Sequence, residues 1–234
     1  MNSDKDQDLS NTANRPVLLF DLDGTLVDSV YQHVLAWRDA FEALGVHISN
    51  WRIHRRIGMS DALISKQLSR EAGRPFSAEQ TEKARKLHTR FYLERTGELR
   101  LLPGSRELLS LLAQNSVSYA VATSSSLERA GSSLKMLGVG PEVPVITIEQ
   151  VSFGKPDPGL FLAAMKRLQV APNHCIVIGD STWDILAARR AGALGVGVLT
   201  GGYPKEELFR AGAYRVYSDP EDLSENLDEL GVHI

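Results

Sequence analysis

Short runs of apolar residues alternate with longer amphipathic stretches along most of this chain, and that alternation constrains its fold more than any other feature. The runs are rich in β-branched residues and lack polar alternation, which is typical of strands buried on both faces of a sheet. A strand followed by a helix, repeated, predicts an α/β fold with a parallel sheet and right-handed crossovers. The predicted strands span residues 17–20, 119–122, 145–148, 176–178 and 196–198. The predicted helices span residues 105–115, 127–137, 158–168 and 183–191.

One long interval breaks this alternation. Between Ser29 and Arg100 the apolar residues recur at helical spacing and form no convincing strand pattern. The interval therefore predicts an all-α domain inserted between the first and second strands of the sheet. The predicted domains are a disordered tail over residues 1–15, an α/β core over 16–28 and 101–234, and an inserted helical domain over 29–100.

The charge of the chain is unevenly distributed. Residues 51–100 contain twelve Lys or Arg and six Asp or Glu, a net charge of +6, whereas the whole chain has a net charge of −3. A basic excess of this kind attracts anionic ligands. Nucleic acid is not an expected partner, because the overall charge is negative and aromatic residues do not interleave with the basic ones.

Composition excludes several other classes of protein. With 234 residues, 43% of them hydrophobic and 24% charged, the chain is an ordinary globular sequence and not a disordered one. Its longest apolar runs fall well short of the ~18 residues of a membrane span, and residues 1–15 are polar. We therefore expect a cytoplasmic protein with no membrane partner, and find no pattern that specifies an oligomeric state. Cys175 is the sole cysteine, so we expect neither a disulfide within the chain nor a thiolate zinc cluster.

The segment 21–29, Asp-Leu-Asp-Gly-Thr-Leu-Val-Asp-Ser, carries the strongest chemical signal. Asp and Gly both favour turns, so the segment also fits ordinary loop chemistry. However, Asp21 closes a buried apolar run, where an unpaired carboxylate is costly unless a cation or hydrogen bonds compensate for it. Two carboxylates, Asp21 and Asp23, suit a divalent cation as the compensating charge.

Three further polar segments follow predicted strands or precede predicted helices. Residues 123–126, Thr-Ser-Ser-Ser, offer a hydroxyl and free N–H groups before a helix, which suits a phosphate or an ordinary helix cap. A glycine and two prolines flank Lys155, which suits a phosphoryl oxygen or an ordinary surface loop. Asp180 ends a buried run, and the spacing to Asp184 predicts both carboxylates on one side of a first helical turn. Carboxyl ends of parallel strands share one edge of a sheet, where such sheets place their ligands.

Taken together and in this order, the four segments resemble the phosphatases of the haloacid dehalogenase superfamily that carry an inserted α-helical cap. The chain is similar to the phosphoglycolate phosphatases and the β-phosphoglucomutase-like proteins of that superfamily, from Val17 onward. The resemblance implies a doubly wound, Rossmann-like α/β core, an enzyme that hydrolyses phosphoric monoesters, and a small phosphorylated metabolite as its substrate.

The resemblance also implies roles for individual residues. Asp21 would be the nucleophile that forms an aspartyl-phosphate, and Asp23 the general acid and base. The acid role requires the pKa of Asp23 to lie above that of a metal-bound Asp21. Mg²⁺ would be the cofactor, held by the side chains of Asp21 and Asp180 and the backbone carbonyl of Asp23, with Asp184 ordering these ligands. The residues that would bind the phosphoryl group are Thr123, Ser124 and Lys155.

A sugar-phosphate mutase similar to β-phosphoglucomutase is the main alternative. Residues 28–37 resemble that enzyme's segment leading into its cap, and they place His33 at the position of its coupling histidine. Three departures favour a phosphatase. Thr25 replaces an aliphatic residue, Asp61 stands where the phosphate-binding arginine of the mutase would be expected, and Gly179-Asp180 replaces its acidic pair.

Three other functions are disfavoured. A dehalogenase would not use Asp23 or the metal-site aspartates, and a phosphonate hydrolase would need a Schiff-base lysine that the cap does not offer in a recognisable context. A catalytically silent binding protein on the same scaffold remains an alternative, although every expected catalytic group is present. In the cap, His33, Arg56 and His88 are candidate substrate contacts, each with an ordinary helix-packing role as its alternative.

Overall fold

A computed structural model describes residues 15–234. The predicted disordered tail, residues 1–15, lies outside this range except for Arg15. The strands are β1 (Val17–Phe20), β2 (Val27–Asp28), β3 (Arg100–Leu101), β4 (Tyr119–Ala122), β5 (Val145–Ile146), β6 (Cys175–Gly179), β7 (Leu194–Val198) and β8 (Arg215–Tyr217). Within the described range, six strands form one parallel sheet in the order β5-β4-β1-β6-β7-β8.

Helices cover both faces of this sheet, which confirms the predicted α/β fold class. The α-helices are α1 (Val30–Glu42), α2 (Asn50–His54), α3 (Asp61–Glu71), α4 (Ala78–Leu93), α5 (Ser105–Gln114), α6 (Leu127–Leu137), α7 (Gly159–Leu168), α8 (Thr182–Ala191), α9 (Lys205–Ala211) and α10 (Pro220–Glu225). No α-helix within residues 15–234 is both long and apolar enough to cross a membrane.

The central strand β1 shows why the apolar runs become doubly buried strands. Successive side chains of a strand point to opposite faces. Leu18 and Phe20 pack with α5 and α6 on one face, whereas Leu19 packs with α7 and α8 on the other. All three side chains are fully buried, so a polar residue at any of these positions would lose its hydration without gaining a partner.

The segment between β2 and β3, residues 29–99, is mostly helical, and we call this segment, with its helices α1–α4, the cap. Their apolar faces form a cluster of their own, in which Trp37 and Phe41 of α1 pack against Ile64, Leu68 and Ala84. A capping box fixes the start of α4, because Ser77 and Gln80 each accept a hydrogen bond from the other's backbone N–H. The two chain segments that enter and leave the cap pair as the antiparallel strands β2 and β3.

Several local features differ from the sequence-based expectations. The predicted strand over 145–148 ends at Ile146, because Thr147 caps a 3₁₀ turn over Ile148–Gln150. The helix α8 begins at Thr182, so Asp180 precedes the helix and does not share its first turn with Asp184. The elements β2, β3, β8, α9 and α10 were not predicted.

Candidate active site

The polar segments converge at the carboxyl edge of the sheet. Asp21 directly follows β1, and its N–H donates to the carbonyl of Ile178 on β6 at 2.9 Å. Thr123 follows β4 in the same way and donates to the carbonyl of Ile146 at 2.9 Å. Asp180 follows β6. Parallel-ladder hydrogen bonds thus continue one residue past the strands and fix the backbone from which the polar side chains project.

Three buried carboxylates form one cluster at this edge. One oxygen from each of Asp21, Asp180 and Asp184 lies within 4.8 Å of the others. The ammonium group of Lys155 is fully buried, contacts Asp21, and lies 2.7 Å from Oδ1 of Asp184. The Thr25 hydroxyl donates to Oδ1 of Asp180 at 3.0 Å. Three carboxylates therefore face a single ammonium, an excess of negative charge that a dry interior disfavours.

The proton affinities of the cluster reflect this excess. Burial raises the pKa of Asp21 to about 7 against the opposing attraction of Lys155, and repulsion by Asp184 adds to the rise. Burial, followed by repulsion from Asp184 and Asp21, raises the pKa of Asp180 well above its ordinary value. Burial alone would lower the pKa of Lys155, but Asp184 and Asp21 outweigh it and raise that pKa. Lys155 thus stays charged, and the carboxylates still lack positive charge.

The cluster fits a small divalent cation. Its donors are carboxylate oxygens, which hard cations prefer, and its charge deficit is of the matching sign. Two glycines also leave room for the Asp180 carboxylate beside the backbone. A Cβ on Gly201 would stand 1.9 Å from Oδ2 of Asp180, and a Cβ on Gly24, where φ is +85°, would stand 2.5 Å from the same oxygen. The residues present therefore suit the ion that the resemblance implies.

Asp23 faces different partners. Its Oδ1 accepts a hydrogen bond from the Ser29 hydroxyl at 2.7 Å, and its Oδ2 accepts one from the Ser125 hydroxyl at 2.9 Å. Nε2 of His33 lies 3.2 Å from Oδ1. Burial opposes ionisation, but His33 and the two hydroxyls outweigh it and hold the pKa of Asp23 well below its ordinary value. The pKa of Asp23 thus lies below that of Asp21, whereas a general acid at Asp23 was expected to have the higher pKa of the two.

Buried side chains connect Asp23 to the interior of the cap. Nδ1 of His33 lies 3.1 Å from Nε2 of His88, and Nδ1 of His88 lies 3.1 Å from a terminal nitrogen of Arg129. A guanidinium only donates, so Nδ1 of His88 accepts and the proton of His88 sits on Nε2. That proton is donated to Nδ1 of His33, which leaves the proton of His33 on Nε2, facing Asp23. The hydrogen bonds thus assign both tautomers.

We call His33, His88 and Arg129 the histidine relay, and aromatic stacking fixes the positions of its two histidine rings. The ring of His33 stacks on Tyr92 with centroids 4.0 Å apart, and the ring of His88 stacks on Trp37 with centroids 4.2 Å apart. Burial and the positive charge of Arg129 lower the pKa of His88 well below its ordinary value, in agreement with its Nδ1 acting as an acceptor. The two histidines therefore link a core arginine to the Asp23 carboxylate.

A chamber of about 30 Å³ lies between the core and the cap. The core contributes Asp21, Asp23, Thr123, Ser124 and Ser125 to its lining. The cap contributes the remaining lining residues, which are His33, Trp37, Ile57, Gly58, Met59, Asp61 and Ile64.

Hydrogen bonds also join the cap to the core beside the chamber. The Ser124 hydroxyl donates to the carbonyl of Gly58 at 3.3 Å, and the N–H of Ser60 donates to the carbonyl of Lys155 at 3.1 Å.

The structure brings most, but not all, of the predicted site residues to this place. Asp21, Asp23, Thr123, Ser124 and His33 line the chamber, and Lys155, Asp180 and Asp184 stand directly behind it. His88 lies one residue further back, behind His33. Arg56 does not reach the chamber: its guanidinium pairs with Glu71 within the cap. Its neighbour Arg55 likewise pairs with Glu207 of α9.

Sequence reasoning missed four residues of the site. Ser29 and Ser125 bond to Asp23, Thr25 bonds to Asp180, and Arg129 ends the histidine relay. Ser29, Thr25 and Ser125 belong to segments that were identified, so their proximity to the aspartates was available as a signal. Arg129 gave none, because a basic residue in the first turns of a predicted helix is usually exposed.

Comparison with known proteins agrees with this arrangement. A family model described as haloacid dehalogenase-like hydrolase matches residues 16–192. The chain is 31% identical to a phosphoglycolate phosphatase of Vibrio parahaemolyticus over 220 residues, which covers 92% of this chain and 93% of that protein. It is 30% identical to a β-phosphoglucomutase of Bacillus subtilis over 190 residues, covering 79% of this chain and 83% of that protein.

A solved structure extends the comparison to the fold. A hydrolase from Pseudomonas syringae superimposes with a TM-score of 0.90 at 47% identity, covering 92% of this chain and 99% of that chain. The predicted resemblance and the expectation of an enzyme are both confirmed. The chain belongs to the haloacid dehalogenase-like hydrolases.

Proposed function

We propose that the protein is a Mg²⁺-dependent phosphatase that hydrolyses a small phosphomonoester metabolite through an aspartyl-phosphate on Asp21. One observation carries the proposal: two aspartates of one chamber have opposite surroundings. Asp21 lies among carboxylates and beside Lys155, and these surroundings suit a bound cation and a nucleophile. Asp23 is oriented by hydroxyl groups and by His33, and these surroundings suit proton transfer.

In the first half of the reaction, an oxygen of Asp21 attacks the phosphorus, and the bond between phosphorus and the ester oxygen breaks. Asp23 gives its proton to the departing oxygen, which yields an alcohol and an aspartyl-phosphate. In the second half, a water oxygen attacks the phosphorus while Asp23 accepts one of its protons. The bond between phosphorus and Asp21 then breaks, and inorganic phosphate is released.

The surrounding residues support these steps. Thr123 and Ser124 line the chamber beside Asp21 and offer hydroxyls, and in the case of Ser124 a backbone N–H, to the phosphoryl oxygens. Lys155 contacts Asp21 and offsets charge as the phosphoryl group is transferred. Mg²⁺, held by Asp21, Asp180 and the Asp23 carbonyl, would supply the positive charge that keeps Asp21 ionised.

The reversed pKa order of the two aspartates is consistent with this mechanism once an ester is bound. A phosphoryl dianion beside Asp23 repels its carboxylate and competes for the hydroxyls of Ser125 and Thr123, and both effects raise the pKa of Asp23. The substrate itself thereby prepares the acid.

The proposal is tested with p-nitrophenyl phosphate, Mg²⁺ and a chelator. Asp21→Asn is expected to lower kcat by at least about 10³-fold, because the nucleophile is lost, while the circular dichroism spectrum stays unchanged. Asp39→Asn is the matched control, because Asp39 pairs with Arg95 in the cap, away from the chamber. Activity that persists in Asp21→Asn, or that is indifferent to the chelator, contradicts the proposal.

A sugar-phosphate mutase is the second candidate, favoured by the contact between His33 and Asp23 and by the relative named β-phosphoglucomutase. Asp61 disfavours the mutase, because this aspartate lines the chamber where a mutase was expected to have an arginine. The two are separated by supplying β-glucose 1-phosphate with a bisphosphate primer. A phosphatase releases inorganic phosphate, whereas a mutase accumulates glucose 6-phosphate.

A further inference from the structure

The chamber that would receive the ester has no positively charged wall. Among the described residues that line it there is neither a lysine nor an arginine. From the cap, Asp61 lines the chamber together with the apolar residues Ile57, Met59 and Ile64. The cap side of the chamber therefore offers a carboxylate and hydrocarbon to a bound ester, and no lysine or arginine.

Two cations contact aspartates that line the chamber, and both are already paired. The guanidinium of Arg129 is 2% exposed and donates to Oδ2 of Asp61. Lys155 is held by Asp21 and Asp184. A second anionic group on a substrate would have to compete with a protein carboxylate for one of these partners, inside a site of low dielectric.

Asp61 is held firmly in this position. It is the first residue of α3, and the preceding Ser60 is fixed to the core by its hydrogen bond to the Lys155 carbonyl. Nδ1 of His88 lies 3.9 Å from Oδ1 of Asp61, so the ion pair also adjoins the histidine relay. The Asp61 side chain is 12% exposed, and Asp61 is one of the residues that line the chamber.

We propose that Asp61, paired with Arg129, restricts the enzyme to phosphomonoesters with an uncharged, hydroxylated leaving group, such as a sugar or a sugar alcohol. Hydroxyls donate to the Asp61 carboxylate, and the carbon skeleton packs on Ile57, Met59 and Ile64. A carboxylate a few bonds from the ester oxygen, as in phosphoglycolate, is repelled by Asp61. This inference rests on the proposed phosphatase activity and narrows its substrate class.

The experiment compares kcat/KM for sorbitol 6-phosphate with kcat/KM for 2-phosphoglycolate. The wild-type enzyme is expected to favour the sugar-alcohol ester by at least about tenfold. Asp61→Asn keeps the shape of the side chain but releases the charge of Arg129, and it is expected to shift the ratio at least about tenfold toward phosphoglycolate. The double variant Asp61→Asn with Arg129→Met lacks the released cation, so it is expected to lose the shift toward phosphoglycolate. Asp39→Asn, which alters an Asp–Arg pair that lies within the cap, is expected to leave the ratio unchanged.

Each outcome bears on one proposal. A wild-type enzyme that favours phosphoglycolate overturns the inference, whether or not the variants fold, and so does an unchanged ratio in folded Asp61→Asn. Absence of hydrolysis of every ester, p-nitrophenyl phosphate included, overturns the proposed function instead. In that case the Kd values of the two esters for the wild-type protein, measured by calorimetry, still test the selectivity.

Discussion

Lys155→Met removes the single cation of the carboxylate cluster, and its effect follows from the structure. The ammonium group is fully buried between Asp21 and Asp184, and a methionine of similar length would rest on the ring of Phe161, whose centroid lies 5.2 Å from Nζ. The substitution therefore keeps the packing and removes the charge. Three buried carboxylates are left facing one another without compensation.

Removing one partner of a buried ion pair costs about 3–5 kcal/mol. For a chain of this size, each kcal/mol lowers Tm by roughly 2–4 °C, so the expected decrease is roughly 6–20 °C at pH 8. The cost is smaller at pH 5, because carboxyl groups whose pKa is already raised take up protons and lose their repulsion. Bound Mg²⁺ would supply the missing charge, so it is expected to raise Tm more in Lys155→Met than in the wild-type protein.

The assay is thermal unfolding followed by circular dichroism at pH 5 and pH 8, with EDTA or with Mg²⁺. Lys66→Met is the control, because Lys66 is an exposed lysine of α3 and its loss should change stability by no more than about 0.5 kcal/mol. A decrease in Tm below about 2 °C at pH 8, or an equal decrease at both pH values, would refute the reasoning about uncompensated charge.

Three further predictions concern the same site. Burial raises the pKa of Asp21 to about 7. The stability that Asp21 contributes is therefore complete below its unfolded pKa of about 4 and is lost as pH rises through 7. The urea concentration at the midpoint of unfolding, measured in EDTA, should decrease from pH 5 to pH 8. Gly201→Ala should raise the Mg²⁺ concentration needed for half-maximal activity at least about tenfold, because its Cβ would displace Asp180; an unchanged Mg²⁺ titration contradicts this. His88→Phe keeps the stacking on Trp37 but removes the donor to His33, so kcat should fall about tenfold or more with little change in Tm, as steady-state kinetics and thermal unfolding would show.

The sheet and the catalytic segments were predictable because both are encoded locally. A strand buried on both faces, such as β1, is a continuous apolar run, and Asp21 and Asp180 stand out because each ends one. The short pairing of β2 with β3 was not predictable, because two residues per strand leave no periodicity and their partner lies far along the chain. The strand β8 was missed for a similar reason, since three residues at the sheet edge carry little pattern.

The cap residues show where sequence reasoning fails within the site. Arg56 was expected near the substrate because the cap is basic, but its side chain is directed to Glu71 by the packing of α2 against α3. His33 and His88 were identified individually, whereas their relay to Arg129 depends on three helices meeting in the interior. Such contacts between distant positions are set by tertiary packing, and a single sequence contains no signal for them.

The position of the chamber between the cap and the core has a kinetic consequence. Both the cap and the core line it, so α1–α4 would cover a bound ester and would move away when the ester enters and when phosphate departs. The side-by-side connections β2 and β3 are where such a swing would pivot. Turnover then has a ceiling set by the frequency of opening, and a viscous cosolvent should slow the enzyme even though it leaves the chemistry untouched.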